Sequence, residues 1–400
     1  MRSALALLGK RQFFLLWGGQ TVSALGDAMV ITALTFAVLG MSDSPGSLGL
    51  VLTVMHVART GSYLVGGVLG DRFSRRLVMI VSDSARMLTQ AVAALLLITG
   101  QATLWWLVLL GAVYGGLAGL FRPSSAGLVA QVAEPGRLQE ANALLGVSRE
   151  VVTIAGPALA AVLVVTTGPG WVFAADAGTF AVGIAALSRM RLDELPIERG
   201  GGFWHDVSSG LREAFRHSWY RVSLSVQPLW NFANAVFTVL GPAIALHSLG
   251  GVLDWGLINT AGAAGAVVGG MLALKVVFRR PLVAASAGRL GLGVLLAAMA
   301  VPLSTGPVAA AALVSGLGWA VHDIAWMATV QRRIPGNAVS RAVSYEWTAG
   351  QLMTTAGFAL AGPLSAAFGM SGVLLALAGL VTATSLLLPA LPAVFSVKDG

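Results

Sequence analysis

The chain has 400 residues, of which 56% are hydrophobic and only 10% charged, too little polar surface for a soluble protein of this length. Its formal net charge is +8 and its pI about 10.7, but the basic residues are scattered over short connections rather than gathered on one solvated patch, which argues against nucleic acid as a partner. There are no cysteines, which excludes structural disulfides, thiolate metal sites and cysteine nucleophiles.

A membrane-crossing helix needs about 20 mostly apolar residues. Breaking the chain at its polar and Gly/Pro clusters predicts about twelve such spans, at 13–39, 47–70, 77–99, 104–132, 141–166, 171–190, 222–247, 254–276, 281–302, 307–331, 341–366 and 371–391. The first follows Arg2, Lys10 and Arg11, and its apolar run continues past Ala24-Leu25-Gly26 to Leu39, so it reads as an uncleaved helix and not as a signal peptide. The expected fold class is an all-α membrane protein in three parts: an N-terminal six-helix bundle at 1–190, a cytoplasmic linker at 191–221 and a C-terminal six-helix bundle at 222–400. Within the linker, Phe203, Trp204, Val207, Leu211, Phe215 and Trp219 alternate with Arg212, Arg216 and His217, a spacing that suits an amphipathic helix lying on the membrane.

Lys and Arg are costly to translocate in short loops. They occupy the N-terminus, the connection with Arg72, Arg75 and Arg76, the connection with Arg137, the central stretch, the group Lys275, Arg279 and Arg280, the pair Arg332 and Arg333, and Lys398. The alternate connections near Asp43, Gly100, Pro169, Gly250, Thr305 and Gly369 contain none. Both termini are therefore expected on the cytoplasmic side of a cytoplasmic (inner) cell membrane, with membrane lipids as partners. Trp105, Trp106, Trp171 and Trp255 fall where the outer interface would lie.

The segment Gln131-Val132-Ala133-Glu134-Pro135-Gly136 returns half a chain later as Gln331-Arg332-Arg333-Ile334-Pro335-Gly336, and Gly156-Pro157 is followed at a similar distance by Gly362-Pro363. Two six-helix halves related in this way are the design of a transporter that works by alternating access.

At the second connection, Gly67-Val68-Leu69-Gly70-Asp71-Arg72-Phe73-Ser74-Arg75-Arg76 resembles the signature loop Gly-x-x-x-Asp-Arg-x-Gly-Arg-Arg of the major facilitator superfamily, with Ser74 in place of the common Gly. The runs Phe14-Leu15-Leu16-Trp17, Ser23-Ala24-Leu25-Gly26-Asp27, Val81-Ser82-Asp83-Ser84-Ala85-Arg86, Phe121-Arg122-Pro123, Asn142-Ala143-Leu144 and Gly156-Pro157 are similar to its drug and siderophore exporter branch. The resemblance implies a gating loop, Gly67, Gly70, Asp71, Arg72, Arg75 and Arg76, that latches the two halves in an outward-facing state. Asp83 is a candidate partner for its arginines. It also implies that Gly156 and Pro157 kink the fifth helix at a close approach.

An ionisable side chain near the bilayer centre costs about 2.5–3.5 kcal/mol and usually faces a cavity or a partner. Asp27, Arg59, Asp176 and Asp323 fall inside spans one, two, six and ten, while Arg86, Arg122, Arg149, Glu150, Arg289 and Glu346 are placed nearer the cytoplasmic ends. Asp27 is the first candidate for a proton carrier and Asp323 the second, with Arg59 or Arg122 as the positive partner. Asp176 reads equally as a packing residue or a substrate contact, and Glu346 and the Arg149-Glu150 pair as structural ion pairs. His56 and His322 are titratable near working pH, but a lone His in an apolar helix is more often packed. Tyr63, Phe121, Trp230, Phe232, Trp319, Trp326, Met327 and Trp347 are candidates for an adaptable apolar wall.

No phosphate-binding Gly-x-x-x-x-Gly-Lys-Ser/Thr loop and no His-Glu-x-x-His site is present, so neither ATP-driven transport nor a metallohydrolase is expected. The expectation is a monomeric secondary transporter without a cofactor, neither an enzyme nor a nucleic-acid binder, that uses the proton gradient to export a hydrophobic drug-like or siderophore-like small molecule. Uptake of a small metabolite is the alternative, and a channel is the rival class.

Overall fold

The computed structural model describes residues 7–42, 44–72, 74–132, 137–191, 216–273, 278–301, 303–334 and 336–397. Among these, twelve long helices follow one another: α1 Arg11–Ser42, α2 Pro45–Arg72, α3 Arg75–Ile98, α4 Leu104–Val132, α5 Leu138–Thr167, α6 Pro169–Ser188, α7 Ser218–Ser248, α8 Val252–Ala273, α9 Pro281–Ala300, α10 Thr305–Arg333, α11 Gly336–Phe368 and α12 Met370–Leu387. A short α13, Pro392–Phe395, follows. The shortest long helix has 18 residues; at ~1.5 Å per residue it is ~27 Å long, close to the ~30 Å hydrocarbon thickness. Ten of the twelve are long and apolar enough to cross a membrane by length and composition. The others, α2 and α11, have 28 and 33 residues. The predicted spans coincide with these helices, which mostly begin a few residues earlier than predicted and end within four residues of the predicted ends.

By internal contacts the chain divides into two compact units, Met1–Arg199 and Gly200–Gly400. In the first, α1 packs on α5 and α6, α3 on α4 and α6, and α2 on α4. In the second, α7 packs on α11 and α12, α9 on α10 and α12, and α8 on α10. The pairing is the same with every number raised by six. The turns repeat as well: α5 and α6 are joined through Gly168, at φ 93°, and α11 and α12 through Gly369, at φ 73°. A one-residue reversal between two long helices needs this left-handed backbone, which glycine adopts without steric cost.

The helices are held close by small residues. A Cβ added to Gly318 on α10 would lie 2.1 Å from the Gly288 carbonyl oxygen on α9, and one added to Gly115 on α4 would lie 2.1 Å from the Met55 carbonyl oxygen on α2. Such close crossings allow dense packing where lipid offers no hydrophobic drive between helices. The outer faces are correspondingly apolar: Val147, Leu352 and Phe368 are 62%, 61% and 72% exposed.

Two interfacial expectations change. Trp105, Trp106 and Trp171 are exposed, but Trp255 is buried, its ring 5.4 Å from that of Phe237 and pressed on Gly241. The proposed amphipathic linker helix lies mostly outside the described residues. Its last member, Trp219, belongs to α7 and is buried against Tyr220 and Trp326, because the second unit's first helix begins at Ser218, four residues before the predicted span.

Gly318→Val should therefore destabilise the second unit by at least ~1–3 kcal/mol through overpacking, read as a lower melting temperature or loss of monodisperse protein in detergent. Gly270→Ala, whose new Cβ would meet nothing within 4 Å, should leave both unchanged.

Candidate functional site

Helix α3 shows how this sequence builds a polar interior. Ser74 caps it at φ −60° and ψ 131°, its hydroxyl accepting from the Leu77 amide at 3.2 Å, so serine serves where the superfamily loop commonly has glycine, with no left-handed backbone required. Val81, Leu88 and Leu95, seven residues apart, form an exposed stripe, while Ser82, Asp83, Arg86, Thr89 and Gln90 are buried. The 3.6-residue period thus turns the apolar face outward and the polar face inward, the reverse of a helix in a water-soluble protein.

Arg86, midway along α3 and not nearer one end as expected, is the centre of the first unit's cluster. It is 3% exposed. Its Nη2 donates to Asp27 Oδ1 on α1 at 2.5 Å and lies 3.1 Å from the Tyr114 hydroxyl on α4, and Nη1 donates to Asp83 Oδ1 at 3.3 Å. Tyr114 donates its own hydroxyl to the same Asp27 oxygen. The guanidinium carbon lies 4.8 Å from the centre of the Tyr114 ring and 4.3 Å from that of Phe180 on α6, in cation–π range. Asp27 differs from its partner in access: its side chain is 37% exposed where that of Arg86 is 4%.

Beside this group, Asp176 on α6 is fully buried and accepts from Gln90 Nε2 at 2.5 Å and from the Thr179 hydroxyl at 3.2 Å. Gly26 packs directly on it, since a Cβ there would lie 2.0 Å from Asp176 Oδ1. Gly156 on α5 lies against Ala28, the next residue after Asp27, so the predicted close approach of the fifth helix exists and its partner is α1. Pro157 lies inside α5.

The second unit holds a counterpart. Arg289, near the middle of α9, is 3% exposed. Its Nη2 donates to Gln227 Oε1 on α7 at 2.8 Å, and Gln227 Nε2 donates to Glu346 Oε1 on α11. Trp326 on α10 donates its indole N–H to Glu346 Oε2 at 2.6 Å. His322 Nδ1 lies 3.0 Å from the Ala285 carbonyl oxygen and Nε2 lies 3.4 Å from Arg289 Nη2. A carbonyl can only accept, so Nδ1 carries the proton and Nε2 presents its lone pair to the guanidinium.

The structure thus assigns Asp27 a cation other than the ones expected. Its partner is Arg86; Arg59 is half-buried on α2, and the Arg122 side chain lies outside the described residues. Asp83, on the buried face of α3, faces Arg86. Arg76 instead donates to the Leu187 and Ser188 carbonyl oxygens at 2.7 and 2.6 Å, a cation at the negative end of α6. The backbone of Gly67, Gly70, Asp71 and Arg72 is helical, as the end of α2, and their side chains lie outside the described residues, as does that of Tyr63. Arg75 is exposed, as is Asp323. Glu346 is not an ion pair at a helix end but a buried, doubly hydrogen-bonded carboxylate, whereas Arg149 and Glu150 are exposed. Of the expected aromatic wall, Trp326 is fully buried and Trp319 and Trp347 are exposed. Tyr114, Gln90 and Gln227 were not among the predicted residues; their positions on the buried faces of polar helices are the signal that marks them.

A profile of the Major Facilitator Superfamily matches residues 16–358. The chain is similar to the multidrug efflux pump Tap of Mycobacterium tuberculosis, 29% identical over 95% of this chain and 93% of that protein. It is also similar to the multidrug efflux pump Tap of Mycolicibacterium fortuitum, 26% identical over 88% of each. Among solved structures it resembles the nucleoside transporter NupG, with a TM-score of 0.75 at 10% identity over 97% of this chain and all of that one. A bacterial homologue of the iron transporter ferroportin gives a TM-score of 0.71 at 18% identity over 95% of this chain and 99% of that one. At these identities the structural likeness shows the fold.

Removing the central cation should be costlier than removing its exposed partner. Arg86→Ala leaves Asp83 buried without its cation and should destabilise the protein by about 3–5 kcal/mol; Asp27→Asn keeps a hydrogen-bond acceptor at a solvent-reachable site and should cost clearly less, as thermal unfolding of the two purified variants would show.

Proposed function

This chain belongs to the Major Facilitator Superfamily and is a membrane transporter, not an enzyme, and on that premise we propose that it exports hydrophobic, drug-like small molecules in exchange for protons. Near-full-length similarity to multidrug efflux pumps supports the direction and the substrate class. The observation that carries the proton reading is the Asp27–Arg86 pair, in which a sealed guanidinium meets a carboxylate that solvent can reach.

The chemistry follows from that asymmetry. Arg86 stays protonated under all working conditions, so the charge of the pair is decided at Asp27. A proton arriving at Asp27 cancels the carboxylate charge and weakens its bond to Arg86; the guanidinium then leans on Asp83 and on the faces of Tyr114 and Phe180. When the proton leaves, the ion pair re-forms. Alternating exposure of Asp27 to the two sides of the membrane turns this cycle into coupled transport. Asp176, fully enclosed by Gln90, Thr179 and Gly26, acts in this reading as a packing anchor for α6, not as a substrate contact. The alternation of basic and Lys/Arg-free connections supports cytoplasmic termini in a cell membrane, and thus export as movement away from the side that carries them.

In inverted membrane vesicles with an imposed pH gradient, the protein should accumulate a fluorescent lipophilic cation such as ethidium and lose that accumulation when the gradient is collapsed. Asp27→Asn should insert normally and show background accumulation only. Accumulation by Asp27→Asn at the wild-type level would remove Asp27 as the carrier, and transport indifferent to the gradient would remove the proton.

A further inference from the structure

The second unit holds a buried cation and a buried carboxylate that do not touch. Among the described residues no ion pair joins Arg289 and Glu346; the amide of Gln227 stands between them, its oxygen accepting from Arg289 and its nitrogen donating to Glu346. The amide is therefore oriented by both charges. Arg289 has Nε and Nη1 buried with no hydrogen-bond partner, so its interior position depends on few groups: Gln227, the lone pair of His322, and the negative charge of Glu346 beyond the amide.

We propose that Glu346 is a second protonation site, and that its charge decides whether Arg289 remains buried. With Glu346 ionised, its charge and that of Arg289 cancel, and the amide dipole between them is aligned from cation to anion. With Glu346 protonated, a guanidinium that cannot lose its own proton is left in an apolar interior without a compensating charge, a state that is strongly disfavoured. The favourable response is to admit water to α9 at Arg289, by loosening α7 and α10 around it. Proton binding at Glu346 is in this way linked to the opening of the interior of the second unit.

The surrounding groups allow this assignment. On α9 the charged group acting on Glu346 is Arg289 and on α10 it is Asp323, with Trp326 as hydrogen-bond donor; His322, also on α10, contacts Arg289. On α7 the facing group is Gln227, while Tyr220, Arg221 and His247 are in its end turns. Helix α12, Met370–Leu387, has no ionisable side chain. On α11 itself the Arg341 and Tyr345 side chains lie outside the described residues. Glu346 and Trp326 also connect the cluster to the chain's end, because Trp326 packs in one core with Val394 and Val397.

The inference deepens the proton-coupled reading by adding a second proton per cycle, but its test needs no transport. The chain has no cysteine, so a single introduced thiol is an unambiguous reporter. Ser286, one turn before Arg289 on the same helix, is 2% exposed. The Ser286→Cys protein in liposomes would be treated with a membrane-impermeant methanethiosulfonate from about pH 5 to about pH 9, with rates divided by those of Gln101→Cys, an exposed loop position. The normalised rate should rise at least about tenfold as pH falls, one decade being the response to one unit of proton activity. Adding Glu346→Gln should make it high and independent of pH, whereas adding Asp27→Asn should leave the pH response in place. In infrared difference spectra of the Asp27→Asn protein, a carboxylic-acid C=O band should appear at low pH, and it should be lost when Glu346→Gln is added in that background.

A normalised rate that is flat with pH in the otherwise unaltered protein, or low-pH infrared bands that Glu346→Gln leaves unchanged in the Asp27→Asn background, overturns the proposal, and the first of these does not depend on how the Glu346 variant folds. A positive Glu346 result together with gradient-independent transport would instead leave this protonation site standing and remove the proton-coupled reading of transport.

Discussion

An arginine side chain keeps its charge wherever it is placed, and a helix bundle in lipid has no water with which to solvate it. The first unit is arranged around that constraint at Arg86. Its guanidinium takes an anion from α1, a second from its own helix, a hydroxyl from α4 and an aromatic face from α6. Four helices of the unit, α1, α3, α4 and α6, thus each supply at least one contact to a single side chain. Removing any of them changes how well the charge is solvated by protein, so helix packing and charge burial cannot be separated here.

The duplicated second unit meets the same constraint differently. Arg289 occupies the equivalent third helix, and its partners again come from the first and fourth helices of its unit, Gln227 on α7 and His322 on α10. But where the first unit places a carboxylate on α1 in direct contact, the second places a neutral amide on α7 and holds the carboxylate one step away on α11. A direct ion pair in a buried site is tight and specific; a relayed one leaves the cation less well compensated and more sensitive to the carboxylate's state. The repeat preserved the position of the cation while the anion moved to another helix.

Much of the architecture is legible in the sequence, because lipid imposes a simple rule. Long apolar runs must be helices, and their ends are marked by charges and by Gly and Pro, so all twelve long helices could be placed within a few residues. Asp27 is legible for the same reason: a lone acid in an apolar run demands a partner. Which partner is not legible. Asp27 and Arg86 are 59 residues apart and Gln227 and Glu346 are 119 apart, and the order in which helices touch is set by side-chain fit across the bundle and not by any local pattern. Gln227 is hidden twice over, since an uncharged amide raises no alarm in an apolar stretch until the charges on either side of it are known. Trp255 and Trp219 were misplaced because an indole reads the same at a membrane interface as in a core.

The buried charges sit next to the tightest helix crossings. Gly26 and Ala28 flank Asp27, the first pressed on Asp176 and the second on Gly156. Gly288, the neighbour of Arg289, lies against Gly318 with no room for a Cβ on either side. At Gly288 and Gly318 the atoms in contact are main-chain carbonyls, which cannot move past one another by small side-chain adjustments, while at Gly26 and Gly156 the seats are filled by the Asp176 carboxylate and the Ala28 methyl. The helices that present Asp27 and Arg289 are therefore fixed on one side by glycine seats and are open to change on the other, where contacts are hydrogen bonds whose strength depends on protonation. In the proposed proton-coupled cycle a proton would be an effective switch, since it would alter the one kind of contact that the packing leaves adjustable.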